Sequence, residues 1–277
     1  RMDHQIKIHG LRIELGEIES AIQKIPFVKD AAVTARSEND DTYICAYIVS
    51  DDRSSIDKVI DILKKRDGIY IDNVSEALNK IYDEGFEYVV IQPTHVMNGF
   101  EYDELMADAK KCQSCFKKMS FGKPLLTSSS DYAEAVEAIV KETGNISSDT
   151  AAVFMGHGTE HYADSAYAAL DYRFKAKGYD NFFVGTVEGY PDINEVTYFI
   201  KKGGYKKAVL YPFMIVAGDH ANNDMAGEDS ESWKTVLEKE GCSVDCKIIG
   251  LGEYIGIQNM FLKHIEKAVC EIETYMN

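Results

Sequence analysis

Long apolar runs and positive charge are both scarce in this sequence. No stretch approaches the roughly 20 consecutive apolar residues of a membrane-spanning helix, and the first residues do not have the layout of a signal peptide. The 277 residues include 46 acidic but only 30 basic side chains, so the formal net charge is −16. This charge opposes nonspecific binding to nucleic acid or to an anionic membrane. We therefore expect a cytoplasmic protein with neither partner, in which an anionic ligand needs a local patch of amides or basic groups.

A second C-x-x-C motif is also lacking. The six cysteines include one C-x-x-C motif, Cys112 and Cys115, whereas structural zinc sites take four ligands in a closed tetrahedral arrangement. The chain is neither small nor visibly secreted, so a disulfide framework is not expected either. We expect reduced thiols and look for metal chemistry elsewhere.

Two apolar runs that end in glycine and histidine stand out among what is present. They are AAVFMGHGTEH at 151–161 and PFMIVAGDHANND at 212–224. Each predicts a buried strand that stops and presents a histidine, His157 in the first and His220 in the second. Because parallel sheets bind ligands beyond the carboxyl ends of their strands, both imidazoles are expected in one cleft. Neutral imidazole is a common ligand of divalent metals; the alternative is that each histidine only caps a loop.

Strand-like and helix-like segments alternate from about residue 58 to the C-terminus. We expect helices from Val74 and near 101–118, 130–142, 161–176, 192–203, 229–240 and 256–275, and strands near 88–92, 151–155, 181–185, 207–212 and 244–248. Such alternation predicts right-handed βαβ units and parallel sheet. The preceding residues predict a hairpin, a helix from about Leu15 and two strands near 28–35 and 42–49.

The N-terminal segment resembles a known module. Asp3 and the run KIHGLRIELGEIE at 7–19 strongly resemble the small α+β C-terminal subdomain of adenylation domains in nonribosomal peptide synthetases, with Asp3 at the position of the family's hinge aspartate. The large ATP-binding domain and the later N-G-K lysine of that family have no counterpart here. We interpret residues 1–57 as a packing or tethering module or a fusion remnant. An adenylation-related, amino-acid-activating protein is the first alternative function.

From about Lys58 onward the chain resembles the anaerobic cobalt chelatases of vitamin B12 biosynthesis. The segments that carry this resemblance are RDGI at 66–69, IQPTHVMNGFEY at 91–102, GKPLLTSSSDY at 122–132, VFMGHG at 153–158, VGTVEGYP at 184–191 and PFMIVAGDHANNDMAGEDSESWK at 212–234. Members insert a divalent metal into sirohydrochlorin or a related precorrin. The resemblance implies an α/β fold of two Rossmann-like half-domains, 58–140 and 141–277, with the active site in the cleft between them. It also implies that the first half is incomplete, because the family's opening β-α-β unit has no counterpart before Lys58.

The resemblance places the family's metal-binding and catalytic groups at His157, His220 and Glu101, and Glu188 is expected to add a carboxylate. A tetrapyrrole must lose two pyrrole N–H protons while the metal exchanges water for ring nitrogens, so a histidine that accepts a proton near pH 7 suits the reaction. A histidine and carboxylate set also holds Co²⁺ loosely enough to release it. We expect Co²⁺ as the substrate metal, with Fe²⁺ and Ni²⁺ left open, and neither ATP nor an organic cofactor.

Further residues near the strand ends are expected to contact the substrate through side chains or backbone amides. They are His95, Gly156, Gly158, Thr159, His161 and Gly218. His161 is also expected to begin the helix that follows His157, and His264 to be structural. The second alternative function is a noncatalytic metal-binding protein, a truncated fusion. The sequence is compatible with a homo-oligomer.

Overall fold

The computed structural model describes residues 5–8, 11–14, 28–38, 41–50, 72–218 and 220–276. Contacts between Cα atoms divide the chain into two compact units, Arg1–Asn73 and Val74–Asn277. Within the described residues, no helix combines the length and the apolar character needed to cross a membrane.

The first unit contains two antiparallel strand pairs. Strand β1 (Gln5–Ile8) pairs with β2 (Leu11–Glu14), and β3 (Val28–Glu38) pairs with β4 (Asp41–Ser50). The predicted hairpin and both later strands are therefore confirmed. The helix expected from about Leu15 lies outside the described residues.

The second unit alternates helices and strands, as expected for an α/β protein. Its helices are α1 (Val74–Asp83), α2 (Phe100–Lys111), α3 (Ser129–Thr143), α4 (Ser165–Ala176), α5 (Ile193–Gly203), α6 (Trp233–Lys239) and α7 (Ile255–Met276). Its strands are β5 (Tyr88–Ile91), β6 (Lys118–Phe121), β7 (Thr150–Gly156), β8 (Phe182–Thr186), β9 (Lys207–Pro212) and β10 (Ser243–Cys246). Short 3₁₀ turns lie at Gln113–Cys115, Tyr162–Asp164 and Leu251–Glu253, and a π-helical turn at Ala221–Met225.

One predicted helix is too long. The helix expected over 101–118 ends at Lys111, and Cys112 begins a 3₁₀ turn that leads into the unpredicted strand β6. Strand β6 (KMSF) includes two polar residues, so it lacks the apolar run that marks the equally short β5 (YVVI) in the sequence. It pairs in parallel with β5, and the two strands pack with α1 and α2 around Leu78, Val89 and Met119.

A four-stranded parallel sheet forms the centre of the second half, in the order β10-β9-β7-β8. Its central strand β7 is buried on both faces, because helices cover each side. Phe154 points to a core shared with α3, α4 and α7, whereas Val153 and Met155 point to a core shared with α5 and α6. This two-sided burial explains why β7 reads as an uninterrupted apolar run.

Helix α7 returns across the molecule and packs against β5 and β6. The Ser120 hydroxyl on β6 donates a hydrogen bond to the Ala268 carbonyl on α7 at 2.7 Å. Within the described residues, the first half contributes two parallel strands and the second half four. The incompleteness of the first half and the boundaries of the half-domains stay predictions.

Asp131, at the start of α3, is expected to make a pH-dependent contribution to the stability of the fold. Asp131 and Ser128 form a capping box, and the Asp131 Oδ1 atom lies 3.4 Å from His264 Nε2 on α7. Burial alone would raise the pKa of Asp131, but hydrogen bonds from Ser128, His264 and Thr127 outweigh it and leave that pKa below its usual value. A depressed folded-state pKa means that the carboxylate stabilises the fold above the unfolded-state pKa of about 3.9. That stabilisation is lost as the pH falls through the folded-state value.

We therefore expect Asp131→Asn to lower the free energy of unfolding by about 1–2 kcal/mol at neutral pH. The difference from wild type should shrink as the pH falls below about 4. Urea unfolding followed by circular dichroism at several pH values measures both effects. A difference that is the same at all pH values would contradict the role of the ionised carboxylate.

Candidate metal centre

The candidate site lies between β7 and β9, where the strand order of the four-stranded sheet reverses. Strands β7 and β9 are neighbours, but β7 continues to β8 through α4 on one face, while β9 continues to β10 through α6 on the other. The loops that follow two such strands separate and leave a crevice at the carboxyl edge, where open α/β sheets bind their ligands. His157 follows β7, and the loop to His220 follows β9.

Three side chains from three neighbouring strand ends converge in this crevice. His157, Glu188 and His220 can each present one ligand atom, and these atoms all lie within 4.8 Å of one another. The two imidazole rings are nearly perpendicular, with centroids 4.6 Å apart. The Nδ1 atom of His157 lies 3.9 Å from Glu188 Oε2. Two nitrogens and one oxygen at these separations fit a divalent transition metal, with room for exchangeable ligands.

Backbone pairing holds the loops of His157 and Glu188 together. The Val187 N–H donates to the Gly156 carbonyl at 3.0 Å, and the Glu188 N–H donates to the His157 carbonyl at 2.8 Å. These two bonds extend the β7–β8 pairing beyond the strands. The Nδ1 atom of His157 lies 2.9 Å from the Gly158 carbonyl oxygen, so that Nδ1–H can donate to it.

The strand expected near 207–212 is confirmed as β9, but His220 does not directly follow it. Strand β9 ends at Pro212, and the apolar residues after it form a bent loop rather than more strand. His220 instead caps the π-helical turn Ala221–Met225, where its Nδ1 atom lies 2.5 Å from Asp224 Oδ2. The prediction that His157 and His220 share one cleft is nevertheless confirmed by the distance between them.

A cavity of about 290 Å³ opens beside His157. Its lining residues are His95, Val96, Met97, Gly99, Glu101, His157, Gly158, Thr159, Tyr167, Phe213, Met214 and Ile215. Glu101 lies in the first turn of α2, so this cavity brings residues of both halves to one space. Glu101 is absent from the His157, Glu188 and His220 cluster. Glu101 therefore lies on the wall of the adjoining cavity, outside the cluster of His157, Glu188 and His220.

Two further groups in the cavity have perturbed acidities. Burial lowers the pKa of His95, and the Glu101 carboxylate opposes this effect. The Nδ1 atom of His95 is buried, and no residue within the described part of the chain forms a hydrogen bond to it. Burial raises the pKa of Tyr167 to about 12, and the Tyr167 hydroxyl accepts a hydrogen bond from Gly158 N–H at 3.3 Å. At neutral pH both side chains are therefore uncharged.

The remaining residues expected to contact the substrate occupy different places. Thr159 lines the cavity, whereas Gly156 is covered by the ring of Tyr167. His161 caps the turn Tyr162–Asp164, as expected, but its side chain is buried, and its Nε2 atom lies 3.6 Å from Asp103 Oδ2 on α2. The Gly218 carbonyl accepts a hydrogen bond from Asn222 N–H at 3.1 Å. Neither His161 nor Gly218 is among the described residues that line the cavity.

Sequence reasoning missed two residues of this region, Asp224 and Tyr167. Asp224 lies four residues after His220, a spacing that brings side chains together on a helix. That spacing was a signal available in the sequence. Tyr167 gave no comparable signal, because its contact with Gly158 depends on how α4 packs against the end of β7.

Gly158 provides a local test of the site. Its φ angle is +86°, and an added Cβ atom would lie 2.4 Å from the backbone nitrogen of Gly189. An alanine here is strained by about 1–2 kcal/mol in its backbone and must also displace the loop that carries Glu188. We expect Gly158→Ala to weaken Co²⁺ binding about tenfold or more, as measured by titration of the visible absorption of bound Co²⁺.

Gly204→Ala is the matched control. Gly204 has a φ angle of +76° at the end of α5, but its added Cβ would meet no atom within 4 Å. This variant carries a similar backbone strain and should leave Co²⁺ affinity unchanged. Equal affinities in the two variants would show that the loop contact of Gly158 does not hold the site.

The parallel α/β fold and the histidine and carboxylate cluster at its switch point fit a protein that binds and releases a divalent metal, as a chelatase does. Comparison with known proteins gives the family. The chain belongs to the cobalt chelatase (CbiK) family, whose model matches residues 47–270. It is 36% identical over 211 residues to sirohydrochlorin cobaltochelatase of Salmonella typhimurium, covering 76% of this chain and 80% of that protein.

A solved structure shows the same fold at low identity. SirB from Bacillus subtilis with Fe³⁺ superposes with a TM-score of 0.54 and 14% identity, over 74% of this chain and 81% of SirB. The N-terminal segment has different relatives: it is 47% identical over 66 residues to bacitracin synthase 3 of Bacillus licheniformis. Those residues make up 24% of this chain but 1% of the synthase. The resemblance to synthetases is therefore confirmed for that segment, and an adenylating activity is not favoured.

Proposed function

We propose that this protein inserts Co²⁺ into sirohydrochlorin, or a related precorrin, without ATP. The observation that carries the proposal is the cluster of His157, Glu188 and His220, whose ligand atoms lie within 4.8 Å of one another beside a cavity, in a member of the cobalt chelatase family. The metal is a substrate here, since it leaves with the product.

The cluster suits a metal that must arrive and depart. The side chains of His157 and Glu188 are about half exposed, at 46% and 58%, so a hydrated ion can reach them. Two imidazoles and one carboxylate form a site that releases its metal more easily than a closed tetrathiolate does. Because similar ligands accept Fe²⁺ and Ni²⁺, the choice of Co²⁺ depends on metal supply as well as on the site.

Proton removal is the second task of the site. Insertion replaces two pyrrole N–H protons by one metal ion, so two protons must leave the ring. Glu101 and His95 lie on the cavity wall contributed by the first half, near His157. The lowered pKa of His95 keeps its imidazole neutral at pH 7, which makes it able to accept a proton. We assign proton transfer to Glu101 and His95, and metal delivery to His157, Glu188 and His220.

The proposal also covers the domain boundaries, the cellular location and the oligomeric state of the protein. We assign residues 1–57 to a packing or tethering module, 58–140 to an incomplete first chelatase half and 141–277 to the second half. A cytoplasmic location and a homo-oligomeric state stay predictions.

An anaerobic insertion assay tests the activity. Purified protein is mixed with sirohydrochlorin and Co²⁺, and the visible absorption of the tetrapyrrole is followed against a protein-free control. We expect a protein-dependent spectral change at a rate unaffected by ATP. Failure of Co²⁺, Fe²⁺ and Ni²⁺ alike to produce that change would overturn the chelatase assignment. Co²⁺ binding without turnover would favour a noncatalytic metal-binding protein, and amino-acid-dependent pyrophosphate exchange would favour adenylation.

A further inference from the structure

Both histidines of the metal cluster have their Nδ1 atom next to a hydrogen-bond acceptor. For His157 the acceptor is the carbonyl oxygen of Gly158, at 2.9 Å. For His220 it is the carboxylate of Asp224, at 2.5 Å. The first acceptor belongs to the backbone, so no substitution can remove it. The second is a side chain and can be tested directly.

An acceptor at Nδ1 decides which nitrogen of a neutral imidazole can bind a metal. Neutral imidazole carries one N–H and one lone pair, and an ionised carboxylate can only accept. Nδ1 must therefore carry the proton when it faces Asp224, and the lone pair of His220 is left on Nε2. Without that acceptor both tautomers are populated, and a proton on Nε2 blocks that nitrogen.

The local backbone explains how Asp224 reaches His220. The two residues are four positions apart around the turn Ala221–Met225, which is π-helical. Gly218 accepts hydrogen bonds from both the backbone and the side chain of Asn222, and this helps to fix the start of the turn. Single π-helical turns recur at functional sites.

We propose that Asp224 is a positioning residue that holds His220 in the Nδ1–H tautomer and thereby keeps its Nε2 lone pair available to the incoming divalent metal. The inference rests on the proposed metal-handling function, and it assigns Asp224 no direct contact with the metal. Carboxylates that orient a metal-binding histidine in this way typically change metal affinity 10–100-fold when removed.

The tautomer can be read directly in the metal-free protein. Long-range ¹H–¹⁵N correlation spectra of the ¹⁵N-histidine-labelled full chain distinguish Nδ1–H from Nε2–H at mildly alkaline pH, where an ordinary imidazole is neutral. The signals of His220 are those missing in His220→Ala. We expect Nδ1–H in the wild type and a substantial Nε2–H population in Asp224→Ala. A wild-type ring protonated on Nε2, or an unchanged tautomer in Asp224→Ala, would overturn the proposal.

Co²⁺ affinity provides the second measurement. We expect about 10–100-fold weaker binding for Asp224→Ala. Asp224→Asn retains a carbonyl acceptor, so its affinity should follow the fraction of Nδ1–H measured in the spectra. Weaker binding by Asp224→Asn with the tautomer unchanged would overturn the proposal, because it would make Asp224 a ligand or a source of charge. Glu228→Ala removes the same charge from an exposed position four residues further on and should bind Co²⁺ as the wild type does.

These measurements are independent of the insertion assay. The tautomer is observed without metal or tetrapyrrole, so a protein that fails to insert cobalt can still show the predicted Nδ1–H ring. Conversely, if the protein inserts cobalt but the His220 tautomer is unchanged in Asp224→Ala, the proposed function stands and this inference is overturned.

Discussion

Replacing either His157 or His220 by alanine is expected to lower the rate of cobalt insertion at least 100-fold, which corresponds to about 2.7 kcal/mol of transition-state free energy. Each imidazole supplies one of the three ligand atoms of the cluster, and the ring centroids lie only 4.6 Å apart. A metal that loses one of these ligands is neither concentrated at the cavity nor oriented toward a bound ring. The measurement is kcat/KM in the anaerobic insertion assay, together with Co²⁺ affinity from visible absorption.

Non-additivity provides a sharper form of the same test. If the two histidines bind one ion, the first substitution already removes most of the site's contribution to the rate, so the second has little further effect. The double variant His157→Ala/His220→Ala should therefore be little slower than the slower single variant. Rates that multiply would indicate two separate sites and contradict a shared one. His9→Ala, which lies outside the residues matched by the family model, is the control and should retain wild-type activity.

The fold is predictable from the sequence wherever a segment is long and either strongly periodic or continuously apolar. Strand β7 shows this, because helices bury both its faces and its apolar run ends where the strand ends, just before His157. Strand β6 shows the limit: two of its four residues are polar, so no apolar run marks it, and the strand forms because β5 and α7 lie beside it. Such tertiary contacts are absent from local sequence patterns.

The candidate site, too, has features that the sequence predicts and features that depend on tertiary packing. The sequence indicated the residue types at the site, but not how His220 is presented. The apolar residues Phe213, Met214 and Ile215 resemble a continuing strand, yet they leave the sheet after Pro212 and line the cavity. An apolar side chain buried against a cavity and one buried in a sheet look the same in sequence. The place of Glu101 on the wall of the same cavity likewise depends on how α2 packs against His161 in the loop after β7.

Phe154→Ala is expected to have the largest effect on stability, lowering the free energy of unfolding by about 3–5 kcal/mol. Phe154 lies at the centre of β7 with no exposed surface. Its ring stacks on those of Phe174, Phe182 and Tyr211, at centroid distances of 5.5, 5.8 and 5.1 Å. Truncation therefore removes aromatic contacts to α4, β8 and β9 together and leaves a cavity that these rigid rings cannot readily fill.

Urea unfolding can follow this loss on both sides of the sheet. The protein has a single tryptophan, Trp233, and it lies in the core on the opposite face of β7 from Phe154. If the two faces unfold as one unit, Trp233 fluorescence and circular dichroism should shift to lower urea by the same amount. Tyr172→Ala on α4 removes an aromatic ring that is 72% exposed, so it should change stability by no more than about 0.5 kcal/mol. A similarly small effect of Phe154→Ala, or a shift confined to one probe, would mean that β7 does not couple the two cores. The strand end that carries His157 would then be held by its loop contacts to Glu188 and Tyr167 rather than by the sheet.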